Sequence, residues 1–200
     1  MAKTTKAPTT VAATRNAQVG SLIGDADVIV IAVPTPLTQS REPDLSYVHA
    51  AVELIRINVM NSTLIVNEST SYPGTLRDII IPIINELKPV GTENVYFASA
   101  PERVNPGDAI WNQKNTPRLV GGIDEESQIR ALAFYNSICD AVVKVTNPEV
   151  AEAAKLLENT FRLVNIALIN EFTQICSASG INVHEVITAA ASKPYGFMPF

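Results

Sequence analysis

The chain has 200 residues, 46% of them hydrophobic and 18% charged, enough for one sizeable core with an appendage. Its formal net charge of −5 argues against a nucleic-acid or anionic-membrane surface as the main partner. No apolar run reaches transmembrane length, and Cys139 and Cys176 form neither a CxxC pair nor a zinc spacing, so they read as buried thiols of a reducing compartment.

Residues 1–24 carry Lys3, Lys6 and Arg15 and lack the apolar core of a secretory signal. They read as a poorly ordered leader, and a cytoplasmic location is expected. From Asp25 onward strands and helices alternate. "DVIVIAV" (27–33) is a continuous apolar, β-branched run of the kind buried on both faces of a sheet. "DLSYVHAAVELIRINV" (44–59) has helical spacing, with Asp44 or Ser46 near its start. "STLIVNE" (62–68) is the next strand, and "GTLRDIIIPIINELK" (74–88) a helix that Pro82 must kink or shift. Two more strands follow, "NVYFASA" (94–100) and "PRLVGG" (117–122). The helix at 124–139 has an acidic first turn, and "AVVKVT" (141–146) is a short strand. A long helix then runs from about Pro148 to Ser179, capped by Asn147 and ended by Gly180, and Asn182 caps a last one over 182–192. The alternation predicts an α/β fold with a mostly parallel sheet over 25–147, giving way to a purely helical region over 148–200.

In an open α/β sheet, ligands bind outside the carboxyl ends of the strands. Three successive strands end there in polar or proline-containing signatures: "VPTP" (33–36), "NEST" (67–70) and "SAPERVNPG" (99–107). Pro34 and Pro36 make a rigid turn that aims Thr35, or simply terminate a strand. Ser69, Thr70 and Ser71 suit a phosphate or carbonyl oxygen, or cap the next helix. Glu102 suits a base or a water-ordering group and Arg103 an anion clamp, or the two form a surface ion pair. On the long helix Lys155, Asn159 and Arg162 share one stripe. A solvated face also explains it, with Glu152 three residues before Lys155 and Glu158 four before Arg162. His49 and His184 lack metal-ligand spacing, so no metal site is expected. The nine glycines form no GxGxxG turn; the adjacent pair Gly121–Gly122 follows a strand of its own.

Taken in order, "ADVIVIAVPTPL", "NESTSYPGT", "SAPERVNPGD", "RLVGG" and "EAAKLLENTFRLVNIALINE" resemble the nucleotide-sugar 6-dehydrogenases of the UDP-glucose/GDP-mannose dehydrogenase family. "PERVNPGD" and the terminal "ASKPYGFMPF" are most similar to the branch acting on UDP-N-acetylglucosamine and UDP-N-acetylmannosamine. The resemblance covers 25–200. It implies a partial Rossmann-like domain followed by a central long helix with a helical dimerisation segment, hence a homodimer through 148–192. It implies NAD as cofactor and oxidation of the C6 alcohol of a UDP-N-acetylhexosamine to a carboxylate through a cysteine thioester. Pro34, Thr35 and Thr70 would line the NAD site, with Thr70 near the reacting carbon. Glu102 would handle the hydrolytic water, and Arg103 and Val104 would touch substrate. Lys155 and Asn159 would sit beside the C6 oxygen, where an ammonium and an amide stabilise developing charge, and Arg162 would contact substrate.

The family's Gly-rich turn, catalytic cysteine and UDP-binding domain have no counterpart in these 200 residues, and neither Cys139 nor Cys176 matches the cysteine motif. The chain on its own is therefore expected not to complete the reaction. Two alternatives stand beside this reading. One is another hydroxy-acid dehydrogenase of 6-phosphogluconate or 3-hydroxyisobutyrate type, against which "VPTP" and "PERVNPGD" argue. The other is a non-catalytic fragment that dimerises or binds a partner.

Overall fold

The β-branched run Val28–Ile31 forms a strand buried along its whole length, as a strand covered on both faces must be. It lies inside a six-stranded sheet whose spatial order follows the chain. The computed structural model describes residues 10–12, 22–105 and 107–198. The strands are β1 (Thr10–Ala12), β2 (Val28–Ile31), β3 (Leu64–Asn67), β4 (Tyr96–Ser99), β5 (Arg118–Gly122) and β6 (Val142–Lys144). β1 falls in the segment read from sequence as a leader, yet it pairs in parallel with β2, Thr10 opposite Val28. Three residues are too few to stand out as an apolar run, which is why the sequence pattern did not show this strand.

Neighbouring strands are parallel except β4 and β5, which run antiparallel with Ser99 opposite Gly121. Among the described residues no helix crosses back between Ala100 and Pro117. A parallel return needs such a crossover, so the reversal follows from the connection.

Helices pack on both faces. α1 (Ser46–Arg56) buries Val48, Ala51, Val52 and Ile55, the stripe its spacing predicts. These join Ile29, Ile31, Ile65, Leu76 and Ile80 in one core cluster. α3 (Glu125–Ile138), N-capped by Asp124, covers the other face through Ala131, Phe134 and Tyr135. Between them α2 (Ile81–Leu87) is preceded by a π-helical turn over Thr75–Ile80, where Ile81 N–H reaches back five residues to Leu76 O. Pro82 accounts for it: its ring crowds the carbonyl four residues back, and a widened turn ahead relieves the clash.

α4 (Pro148–Ala178) starts with Asn147 Oδ1 accepting Val150 N–H at 3.0 Å. The chain divides into compact units Met1–Leu156 and Leu157–Phe200, so the first turns of α4 belong with the sheet, nine residues beyond the change of pattern at 147. Burial explains this: Ala151, Glu152 and Lys155 are packed into the first unit. In the second unit, α5 (Val183–Ala191) is capped by Asn182 and follows Gly180 at φ 69°. An apolar cavity of about 320 Å³ lies there, lined by Leu168, Phe172, Ile187 and Phe197. α5 buries none of its residues, and α4 exposes Leu157, Leu163, Val164 and Leu168. Among the described residues no helix is long and apolar enough to cross a membrane.

Candidate functional site

Parallel pairing brings the carboxyl ends of β2, β3 and β4 to one edge, and hydrogen bonds beyond the strands lace their loops together. Glu68 N–H and Ser69 N–H both donate to Ile31 O, at 2.9 and 3.1 Å. Val33 N–H donates to Ser69 Oγ at 2.8 Å, and Thr35 Oγ1 to Thr70 O at 2.6 Å. On the other side Ala100 N–H donates to Asn67 O at 2.9 Å and Glu102 N–H to Glu68 O at 3.3 Å. "VPTP", "NEST" and "SAPER" thus stand side by side. Pro34 and Thr70 are exposed on this edge, while Ser69 and Ser71 are turned inward and buried. Of the three hydroxyl-bearing residues in the second loop, only Thr70 is exposed.

Val104 N–H donates to Glu102 Oε1, and Arg103 Nη1 donates to Pro117 O at 2.9 Å. The charge that is locked into the edge is Arg118, at the start of β5 and 5% exposed. It donates to Ala100 O (3.1 Å) and to Gln113 Oε1 (2.7 Å), pairs with Glu68 Oε1 (3.5 Å), and lies over the Tyr135 ring. Tyr135 donates to the same Glu68 oxygen at 2.5 Å. Burial and then the Glu68 carboxylate hold the Tyr135 phenol well above its ordinary range. This cluster buttresses the second and third loops from below.

The long-helix residues do not share one environment. Lys155 is 9% exposed within the first unit. Asn159 is half-buried and Arg162 exposed, and Arg162 Nη2 donates to Asn159 Oδ1 at 2.6 Å. Glu152, one turn before Lys155, is 2% exposed. Its two carboxylate oxygens accept Gly74 N–H (2.8 Å) and Leu76 N–H (3.2 Å), at the start of the helix that follows the Thr70 loop. Burial pushes its carboxyl up to about 7 against the lowering effect of these bonds. Beside it Arg77 Nε donates to Glu149 Oε1 at 2.5 Å and holds that carboxyl below its ordinary value.

The Gly121–Gly122 pair serves packing. A Cβ on Gly121 would lie 2.3 Å from Asn147 O, and one on Gly122 would lie 2.4 Å from Gln128 N. No group of His, Cys, Asp and Glu suited to a metal occurs among the described residues.

Comparison with known proteins gives this edge its context. Residues 4–139 match the model of the UDP-glucose/GDP-mannose dehydrogenase family NAD binding domain, and 149–200 match that family's central domain. The chain belongs to the UDP-glucose/GDP-mannose dehydrogenase family. Among its relatives is the UDP-N-acetyl-D-mannosamine dehydrogenase of Methanocaldococcus jannaschii, 40% identical over 84% of this chain and 39% of that protein. The UDP-N-acetyl-D-glucosamine 6-dehydrogenase of Pseudomonas aeruginosa is 35% identical over 87% of this chain and 42% of that one. The solved structure of the UDP-D-ManNAc dehydrogenase of Pyrococcus horikoshii superposes with a TM-score of 0.76 at 34% identity, over 90% of this chain and 45% of that one. The chain thus spans about two-fifths of the length of the curated relatives it matches. The NAD-binding match reaches back to residue 4, so the segment read as a leader belongs to the family domain.

An NAD site fits the edge chemically. The exposed rim of Ala32, Pro34 and Thr70 is small, apolar and hydroxyl-bearing, and suits a flat amide-bearing ring. The loop backbone behind it is already hydrogen-bonded, so the rim is preformed. The sequence alone did not point to Glu68, Arg118 or Tyr135, and it brought in Glu152 only under the alternative of a solvated face. Arg118, a cation opening the apolar strand "RLVGG", was the one signal available for the cluster.

Proposed function

We propose that this chain forms the cofactor-facing edge and the lysine-bearing helix of an NAD-dependent enzyme that oxidises the C6 alcohol of a UDP-N-acetylhexosamine to the uronic acid. The observation that carries the reading is the lacing of three strand endings into one exposed, preformed edge. Family membership and relatives named for both N-acetylhexosamine epimers support it.

In this reading Pro34, Thr35 and Thr70 line the cofactor site, and the Thr35 hydroxyl fixes the Thr70 backbone. NAD+, when bound, supplies the acceptor for hydride from C6; alcohol to carboxylate takes two such transfers, to two NAD+ in turn, with water supplying the second oxygen. Lys155 stabilises the oxyanion at the C6 oxygen or takes its proton, and Asn159 orients that oxygen through its amide. Glu102, held by Val104 N–H, orders the hydrolytic water. Arg103, Val104 and Arg162 contact substrate. The apolar faces of 148–192 form a homodimer contact, and the protein works in the cytoplasm.

NAD+ titration of the chain, followed by NMR of the nicotinamide protons, tests the cofactor half. Wild type should bind weakly, because its sequence offers no Gly-rich turn to the pyrophosphate, and Thr70→Val should weaken binding severalfold more. No interaction in wild type would remove the reading. For the reaction itself, NADH formation with each UDP-N-acetylhexosamine is measured in the full-length gene product. Loss of Lys155 should cost on the order of a hundredfold in kcat, the scale of removing one positioned acid-base or oxyanion group.

A further inference from the structure

Glu152 is a buried carboxylate to which the proposed reaction gives no role. Nearly all of its surface is covered, and both oxygens are spent on backbone N–H groups of another element, at Gly74 and Leu76. Those groups open the helix that begins directly after the Ser69–Gly74 loop. Gly74 takes a left-handed φ of 98°, which orients its N–H toward the carboxylate and which side-chain-bearing residues rarely adopt. Lys155 lies three residues further along α4, on the same side by helical spacing, and is also buried.

A second tie runs alongside, Arg77 to Glu149, but it is half-exposed and of the kind that contributes little. The Glu152 bonds are buried and reach the backbone itself, and so fix position more firmly. Asp78 and Glu149 oppose ionisation of the carboxylate, Arg77 beside it is held by Glu149, and Lys155 stands one turn along. Arg77 also lies within electrostatic reach of Glu152, and both carboxylate oxygens bond to the backbone, so the effect argued for is positional.

We propose that Glu152 is a positioning residue: by clamping the Gly74 and Leu76 amides it fixes the turn of α4 that carries Lys155 against the end of the Thr70 loop. The importance of that placement rests on the functional reading above. The coupling itself does not.

The test uses the chain as it is, comparing wild type with Glu152→Ala and Glu152→Gln. Two readouts are followed: amide exchange at Gly74 and Leu76, and acylation of Lys155 by acetic anhydride relative to exposed Lys114. Glu152→Ala should speed exchange at both amides at least tenfold, with the amides of Val66 and Ala98 unchanged. Lys155 acylation should rise at least fivefold. Glu152→Gln, which keeps one acceptor oxygen, should restore Lys155 acylation to within about twofold of wild type. Faster exchange with unchanged Lys155 reactivity would reduce Glu152 to a helix cap and overturn the proposal. So would unchanged exchange at Gly74 and Leu76. If Glu152→Ala does not fold, the Gln variant decides, since its exchange should rise at one of the two amides and not both. NAD+ titration of the same samples separates the readings. Absence of NAD+ binding with the Lys155 result intact removes the proposed function and leaves the coupling.

Discussion

Replacing Arg118 by methionine probes the support beneath the candidate site. Methionine fills much of the same volume but donates nothing. The change removes the bonds to Ala100 O and Gln113 Oε1, and leaves the Glu68 carboxylate with the Tyr135 hydroxyl alone. Removing one partner of a buried pair costs roughly 3–5 kcal/mol, most of it the penalty on the charge left behind. Glu68 has a side chain 16% exposed against 6% for Arg118, and it retains the Tyr135 bond, so the low end applies, about 3 kcal/mol. If the orphaned charge is the cause, neutralising it must help. In a Glu68→Gln background the same Arg118→Met change should cost less by about 1–2 kcal/mol, the coupling expected of contacting residues in one network. Urea denaturation of the four proteins of this cycle gives both numbers. A cost for Arg118→Met below about 1 kcal/mol, the range of an exposed pair, would refute the reasoning. Equal costs in the two backgrounds would do the same.

Gly121→Ala should destabilise by more than the roughly 1–3 kcal/mol of ordinary overpacking, because its Cβ would meet the backbone carbonyl of Asn147 at 2.3 Å; thermal melting checks this. Glu152 adds a pH dependence of defined sign. Its folded carboxyl titrates near 7 against 4.5 as the ordinary value, so the folded chain holds this proton more tightly than the unfolded one. Its stabilising contribution is complete below pH 4.5 and is lost as pH rises through 7, amounting to roughly 3 kcal/mol at about 1.4 kcal/mol per unit. The stability of wild type minus that of Glu152→Gln should therefore fall between pH 5 and 8, and a flat difference would contradict the assignment. Thr35→Val removes the bond to Thr70 O and should cost about 0.5–1.5 kcal/mol, with weaker NAD+ binding as the functional readout. Val164→Glu on the exposed apolar stretch of α4 should turn a dimer into monomers by light scattering, and a monomeric wild type would remove the dimer reading.

The parts of this molecule that could be read from its sequence are those set by local chemistry. β-branched runs, caps at Asn147 and Asn182 and the stripe of α1 depend on neighbours a few residues away, and all formed where the pattern placed them. The adjacency of the three polar loops followed from one further rule, that parallel strands align their carboxyl ends. The antiparallel turn of β5 was within reach as well, since no helical spacing separates Ala100 from Pro117. What stayed hidden depends on partners far along the chain. Glu152 meets Gly74 at a separation of 78 residues, and Tyr135 meets Glu68 at 67. Helical spacing showed that Glu152 and Lys155 share a side of α4 but could not say what covers that side. An acidic and a basic residue three apart look the same on a solvated face and in a buried one. The difference lies in what the carboxylate bonds to. Both its oxygens bond to backbone N–H groups after the Thr70 loop, and so it ties the helix carrying the lysine to the edge that carries the hydroxyl. The polar stripe is therefore two features: a buried anchor with its lysine in the first unit, and the Asn159–Arg162 pair further along.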